Sequence, residues 1–141
     1  MESVEYPVGY LIKNISDKIK VNADLDLKGH NLTLTQSRVL GFLSSRGNSA
    51  PQKDIEEFLE VTHPTVVGVV ARMEQKGFIR TRVDETDKRN KIVELSGTAV
   101  QLGSEMGALV AAQEQKMLKG LTRQQVRNLS ESLQIIYANL L

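Results

Sequence analysis

Small polar side chains open a segment that predicts a helix running from Thr62 or His63 to Gly77. Pro64 is tolerated in its first turn, because the N–H groups there lack helical partners anyway. Those free N–H groups and the partial positive charge of a helix start suit a phosphate. The Thr65 hydroxyl can hydrogen-bond the edge of a base. These residue types point to nucleic-acid recognition, although His63 alone is explained equally well as a capping or turn residue.

The later turns of this segment carry groups that fit the same chemistry. Gly68 leaves room for a close approach to a duplex, and the methyl groups of Val67 can meet a thymine methyl. Arg72 can reach a phosphate or a base. Its alternative role is a salt bridge to Glu74 or Glu56.

Five cations and three carboxylates lie within residues 80–91, which include the loop between a predicted strand over residues 78–83 and its predicted partner over residues 91–95. Phosphate contacts by Arg82 and Lys88 would set affinity and salt dependence rather than sequence preference. The simpler interpretation is a solvated charged hairpin. The charged residues of this segment are Arg80, Arg82, Asp84, Glu85, Asp87, Lys88, Arg89 and Lys91.

Two short helices joined by a brief turn must position these groups. The first is predicted near Gln52–Leu59, with Ser49–Gln52 as its cap and Pro51 in its first turn. The turn at residues 60–62 is too brief for full antiparallel contact, so the two helices should cross steeply, as in a helix-turn-helix. Together with the basic hairpin this is the layout of a winged helix-turn-helix. The apolar stripe of the second helix is Val66, Val69, Val70 and Met73.

Two more helices are predicted ahead of this unit. An apolar face recurs at helical spacing over Val8–Ile19, and a polar break is expected to begin at Asn22–Asp24. Thr33 and Gln36 have the spacing of a capping box. Gly47 is expected to end that helix in a left-handed conformation.

Two long helices are predicted after the hairpin. Ser96 is expected to cap the first, and Thr122 with Gln125 forms a capping box for the second. Their apolar surface exceeds what the middle of the chain can cover, which favours pairing with a second copy; packing within one chain is the alternative. The heptad-like seam of the last helix is Val126, Leu129, Leu133, Ile136 and Leu140.

Composition excludes several classes of protein. A chain of 141 residues with 40% hydrophobic residues is expected to form one domain with a core, over residues 1–141. The absence of cysteine excludes disulfides, thiolate metal sites and thiol redox sensing. The acidic start argues against a signal peptide, and no apolar run approaches the roughly 20 residues that span a bilayer. These features fit a cytoplasmic protein, while the net charge of +1 does not by itself indicate a nucleic-acid binder.

An enzyme is not expected. The chain has no nucleophile elbow, no phosphate loop and no paired catalytic carboxylates. His30 and His63 lie far apart without the spacing of metal ligands. We therefore expect no catalytic residue, no metal ion and no cofactor.

The ordered set of these segments resembles the MarR family of bacterial transcription regulators, which are winged-helix homodimers. The resemblance covers about Val8 to Leu140. Its most specific part is an aspartate-rich loop that ends in Lys-Arg, at a fixed distance after Lys-Gly. The segments that carry it are Leu32–Thr33 with Gln36, Val39–Leu40, Pro64–Val66, Arg72–Ile79, Asp84–Arg89 and Val93–Ser96.

The resemblance implies a mainly α-helical fold with a small β-hairpin. It places a winged helix-turn-helix DNA-binding part at residues 32–95, flanked by helical dimerisation parts at residues 1–28 and 96–141. It also implies that Arg89 enters the minor groove, with its fork held by paired hydrogen bonds to Asp84 or Asp87.

The function implied is that of a sequence-specific repressor, a homodimer that binds a pseudo-palindromic operator in double-stranded DNA and does not bind membranes. A small-molecule effector would relieve repression from a crevice between the dimer helices and the DNA-reading domain. The alternative is a winged helix used only for protein–protein contact. The expected DNA contacts are Thr62, His63, Pro64, Thr65, Val67, Gly68, Arg72, Arg82, Lys88 and Arg89.

Overall fold

The computed structural model describes residues 5–141, which form six α-helices and three β-strands. The mainly helical fold class is confirmed. The chain divides into two compact units, the first ending at Met106 and the second spanning Gly107–Leu141. No helix within residues 5–141 is long and apolar enough to cross a bilayer. The elements are α1 (Val8–Leu27), a 3-10 turn (Lys28–His30), α2 (Leu34–Ser45), β1 (Ser49–Pro51), α3 (Gln52–Leu59), α4 (His63–Gln75), β2 (Ile79–Val83), β3 (Lys91–Leu95), α5 (Gly97–Met117) and α6 (Arg123–Asn139).

Helix α1 is longer than its apolar pattern predicted. The break expected at Asn22–Asp24 is wrong, because the helix continues to Leu27 and buries Ala23 and Leu27. The Asp24 carboxylate accepts a hydrogen bond from the backbone N–H of Leu34 at 2.7 Å. The polar residues therefore attach α1 to the start of α2 instead of ending the helix.

A capping box opens α2, as predicted. The Thr33 hydroxyl accepts from the Gln36 N–H at 3.2 Å, and Gln36 Oε1 accepts from the Thr33 N–H at 3.1 Å. After the helix, Gly47 has a φ of 73°, and the Asn48 N–H donates to the Leu43 carbonyl at 2.8 Å. The left-handed stop at Gly47 is confirmed.

The predicted hairpin is part of a three-stranded antiparallel sheet with the order β1-β3-β2. Strand β1 pairs with β3, with Ala50 opposite Val93. The expectation that Ser49–Gln52 caps α3 is wrong, because the first three of these residues form β1 and Pro51 precedes the helix without a side-chain cap. The residue before a proline favours extended backbone, which suits Ala50 to a strand.

The core of the first unit is built from α2, α3, α4 and the sheet. Fully buried side chains come from each of them: Leu43, Ile55, Val66, Met73 and Val93. Burial of each such aliphatic side chain contributes about 1.5–3 kcal/mol. This tertiary contribution offsets the poor intrinsic helix propensity of the valines and glycine in α4.

Helix α4 ends in a tight left-handed turn that leads the chain into β2. Gly77 has a φ of 81°, and its N–H donates to the Glu74 carbonyl at 3.0 Å. The Phe78 N–H donates to the Met73 carbonyl at 3.1 Å. This pair of hydrogen bonds is a Schellman motif, so the predicted end at Gly77 is confirmed.

The two last helices begin as predicted. The Ser96 hydroxyl accepts from the Ala99 N–H at 3.2 Å at the start of α5. A complete capping box between Thr122 and Gln125 opens α6. In α6 the apolar seam is exposed or half-buried along its length, at Val126, Leu129, Leu133, Ile136 and Leu140.

Candidate nucleic-acid interface

Helix α4 separates a buried side from an open side. Val66 is fully buried, whereas the next residue, Val67, is 42% exposed. We define the open side of α4 by the predicted contact residues that it carries, all of them exposed except Gly68, which is half-buried. The structure thus brings these residues together on one surface element: Thr62, His63, Pro64, Thr65, Val67, Gly68 and Arg72.

The tip of α4 carries a pair of hydroxyl groups. Thr62 Oγ1 and Thr65 Oγ1 lie 2.9 Å apart, and either one can donate to the other. The hydroxyl that accepts keeps its own proton for an external acceptor. Thr62 is the N-cap residue of α4, but its side chain makes no cap hydrogen bond. The N–H groups of the first turn, to which Pro64 contributes none, are therefore not capped by the Thr62 side chain.

His63 connects the two helices of the helix-turn-helix. Its Nδ1 hydrogen-bonds the Glu56 carboxylate of α3. Because Thr62 holds the N-cap position, His63 is not the cap of α4. The imidazole remains largely exposed, so its Nε2 edge stays open to a ligand while Glu56 holds the ring in place.

Gly68 and Arg72 are in direct contact on the open side. A Cβ atom built on Gly68 would lie 3.3 Å from Nη2 and 3.7 Å from Nη1 of Arg72. The guanidinium group therefore lies directly beside the space that a side chain at position 68 would fill. The alternative salt bridges of Arg72 to Glu74 or Glu56 are not formed: Glu74 accepts from the Thr81 hydroxyl, and Glu56 binds His63.

In the loop between β2 and β3, residues 84–90, two aspartates accept hydrogen bonds from different partners. The Asp84 carboxylate accepts from the Thr86 N–H at 2.9 Å and from the Thr86 hydroxyl at 2.7 Å. These hydrogen bonds from Thr86 lower the pKa of Asp84 below its usual value. Asp87 Oδ1 instead accepts from the Arg89 backbone N–H at 3.1 Å and from Arg89 Nε at 3.3 Å.

Arg89 is a highly exposed cation of this loop. Its side chain is 92% exposed, although Asp87 holds it near the backbone. The expected paired hydrogen bonds to its fork are not formed: Asp87 contacts Nε alone, and Asp84 is committed to Thr86. Both terminal nitrogens of the fork are thus left for an external acceptor. Lys88 beside it is exposed as well.

Arg82, which the sequence predicts to contact a phosphate, has a partner within the sheet. Its Nε donates to Glu94 Oε1 across the sheet at 2.7 Å. This hydrogen bond raises the pKa of the Arg82 guanidinium. The partner carboxylate neutralises part of the positive charge of Arg82.

Sequence reasoning missed the residues that hold the contact groups in place. Glu56, Thr86 and Glu94 each bind a predicted site residue, or an aspartate beside one, through its side chain. A short-range signal existed only for Thr86, which follows Asp84 at the spacing of an Asx turn. The other two act across a helix joint and across a strand pair. Within residues 5–141, no group of three or more His, Cys, Asp or Glu side chains is arranged to hold a metal ion.

Comparison with known proteins places the chain. A sequence model of the MarR family matches residues 30–90. The HTH-type transcriptional regulator YwoH of Bacillus subtilis is 30% identical over 118 residues, which cover 82% of this chain and 85% of YwoH. The chain belongs to the MarR family of transcriptional regulators. This family is one of regulators and not of enzymes.

Two further relatives of this MarR-family protein cover nearly all of it. The HTH-type transcriptional repressor IacR of Pseudomonas putida is 26% identical over 131 residues, which cover 93% of this chain and 78% of IacR. MepR of S. aureus, crystallised in complex with DNA, is 26% identical with a TM-score of 0.90. That similarity covers 97% of this chain and 100% of the MepR chain.

Proposed function

We propose that this MarR-family protein is a sequence-specific DNA-binding transcription regulator that acts as a repressor. The observation that carries the proposal is the open side of α4, where small, polar and cationic groups stay exposed. It belongs to a chain whose backbone follows that of the DNA-bound MepR with a TM-score of 0.90. Since a recognition helix needs one free side for the groove, this exposure supports insertion of α4.

In the proposed complex, the tip of α4 enters the major groove first. The N–H groups of its first turn meet a phosphate, and the free proton of the Thr62–Thr65 hydroxyl pair reaches a phosphate or a base edge. Val67 offers methyl groups to thymine. Arg89 occupies the minor groove, where a narrow groove attracts a guanidinium group. Lys88 contacts the phosphate backbone, and Arg82 adds a smaller contribution because Glu94 partly neutralises it.

The regulator acts as a homodimer in this proposal, with residues 32–95 reading DNA and the flanking helices pairing the copies. Two independent observations support it. The apolar stripe of α1 is exposed at Val8, Leu11 and Ile15. In the second unit, the α6 seam is exposed at Leu129 and Leu133. A symmetric pair would place two recognition helices about 34 Å apart on a pseudo-palindromic operator.

We also propose where the regulator acts and what controls it. It works in the cytoplasm, where bacterial DNA is accessible, and a small-molecule effector relieves repression. Such an effector must bind the free form more tightly than the DNA-bound form, because only differential affinity shifts an equilibrium. A ligand screen that uses loss of operator binding as the readout would identify the chemical class of this effector.

A salt series tests the proposed function. Binding of the purified protein to random duplex DNA and to a selected operator is measured at several salt concentrations. The logarithm of affinity should fall linearly with the logarithm of salt, by about 0.9 for each phosphate neutralised. A winged helix used only for protein contact would bind neither duplex, and this result would overturn the proposal.

A further inference from the structure

The guanidinium group of Arg72 reaches back by one helical turn. Arg72 is the tenth residue of α4, but its fork lies against Gly68, the sixth. Side chains of a helix point toward its N-terminus, which accounts for this direction. At a rise of about 1.5 Å per residue, the fork is displaced about 6 Å toward the tip of α4. It therefore lies beside the turns that a recognition helix places nearest the bases.

The guanidinium group of Arg72 has the chemistry that contact with a base requires. Among residues 5–141, no carboxylate oxygen lies within the distance of an ion pair of Arg72, and the residue is exposed. Its planar donors match the two acceptors of guanine, O6 and N7, which lie together in the major groove. A cation that binds a phosphate needs no such match between two donors and two acceptors. A fork lying on a glycine, with no carboxylate to neutralise it, is suited to bidentate contact.

We infer that Gly68 and Arg72 act as one specificity-determining pair, which selects a guanine at a fixed position in each operator half. This inference rests on the proposed function and adds to it the base that is read. Arg72 supplies the two hydrogen bonds. Gly68 lets the fork lie close to the helix, since a Cβ atom at this position would lie 3.3 Å from Nη2 and the fork would have to move away by a few tenths of an ångström.

Selection of bound fragments from a randomised duplex pool tests the inference, with each protein examined at one salt concentration. Wild type is compared with Arg72→Lys and Gly68→Ala, and Lys88→Ala is the matched control that also removes a charge outside α4. Wild type should select guanine at one fixed position per half. Arg72→Lys should lower that preference about tenfold, because a good bidentate contact discriminates by about that factor or more. Gly68→Ala should lower it as well, although alanine favours the helix and the variant should melt at a higher temperature.

The control separates base reading from simple charge. Lys88→Ala should weaken binding to all sequences alike and leave the selected guanine unchanged. An unchanged guanine preference in Arg72→Lys would overturn the inference while leaving DNA binding intact. Equal weakening on all sequences would overturn it too, since Arg72 would then be a phosphate contact. If wild type selects no duplex at all, the proposed function fails, and this inference fails with it.

Discussion

The Lys76 ammonium group lies 2.9 Å from the backbone carbonyl oxygen of Asn31 and joins the C-terminal end of α4 to the turn before α2. The same group donates to Gln36 Oε1 at 3.0 Å. Gln36 is buried and belongs to the capping box of α2. Hydrogen bonds from Lys76 therefore hold the C-terminal end of α4, the end opposite to Thr62 and His63.

Replacement of Lys76 by methionine should lower the free energy of unfolding by about 1–2 kcal/mol, because two charge-assisted hydrogen bonds are lost, one of them to the buried Gln36 side chain. Urea denaturation measures the change. Lys53→Met on the exposed surface of α3 is the control and should leave the midpoint unchanged. Equal midpoints for both variants would show that the Lys76 contacts contribute nothing.

Val66 and Val67 offer a matched comparison on adjacent residues. Val66→Ala removes fully buried methyl groups and should destabilise the protein by about 2 kcal/mol. Val67→Ala should change stability by less than about 0.5 kcal/mol, because Val67 is exposed. Only Val67→Ala should lower operator affinity without lowering the melting temperature. If Val66→Ala lowered only operator affinity and Val67→Ala lowered only stability, the buried and exposed sides of α4 would be the reverse of those described.

Arg89→Ala should weaken operator binding. It should also reduce the slope of log affinity against log salt by about 0.9, because the side chain neutralises the charge of one phosphate. Fluorescence anisotropy at several salt concentrations measures both quantities. Arg123→Ala, at the start of α6, removes an equal charge and should change neither. Operator affinity that survives Arg89→Ala undiminished would remove the loop between β2 and β3 from the mechanism.

The pH dependence of this loop follows from the lowered pKa of Asp84. A carboxyl with a lower pKa in the folded state stabilises that state above its unfolded pKa, near 3.8, and loses this effect as pH falls through the folded value. Thr86→Val removes the hydroxyl donor, so the pKa of Asp84 should rise toward 3.8. Carboxyl NMR titration measures it, and Thr98→Val on α5 should leave it unchanged.

The α6 seam gives a direct test of pairing. Leu133→Asp places a charge among exposed apolar residues and should shift the protein to a single subunit in sedimentation equilibrium. Ser132→Asp adds the same charge to an exposed polar position of the same helix and should leave the assembly intact. A wild-type protein that sediments as a single subunit would exclude the proposed homodimer.

Local sequence determined much of this fold. The capping pairs Thr33–Gln36 and Thr122–Gln125 and the left-handed glycines Gly47 and Gly77 act within one or two turns of the chain. Their physical cause lies in the residues themselves, in hydroxyls of the right reach and in backbone without a Cβ atom. The starts of α2 and α6, the ends of α2 and α4 and the buried stripe of α4 could therefore be predicted.

Tertiary structure decided what those local rules leave open. Residues Ser49–Pro51 form a strand because they pair with the edge of β3. Helix α1 continues through the polar residues 22–24 because Ala23 and Leu27 are buried. Arg82 was bound by Glu94, a partner that is distant in sequence but adjacent across the sheet. Long-range neighbours determine such outcomes, since a side chain's partner depends on where the whole chain brings an oppositely charged or apolar group.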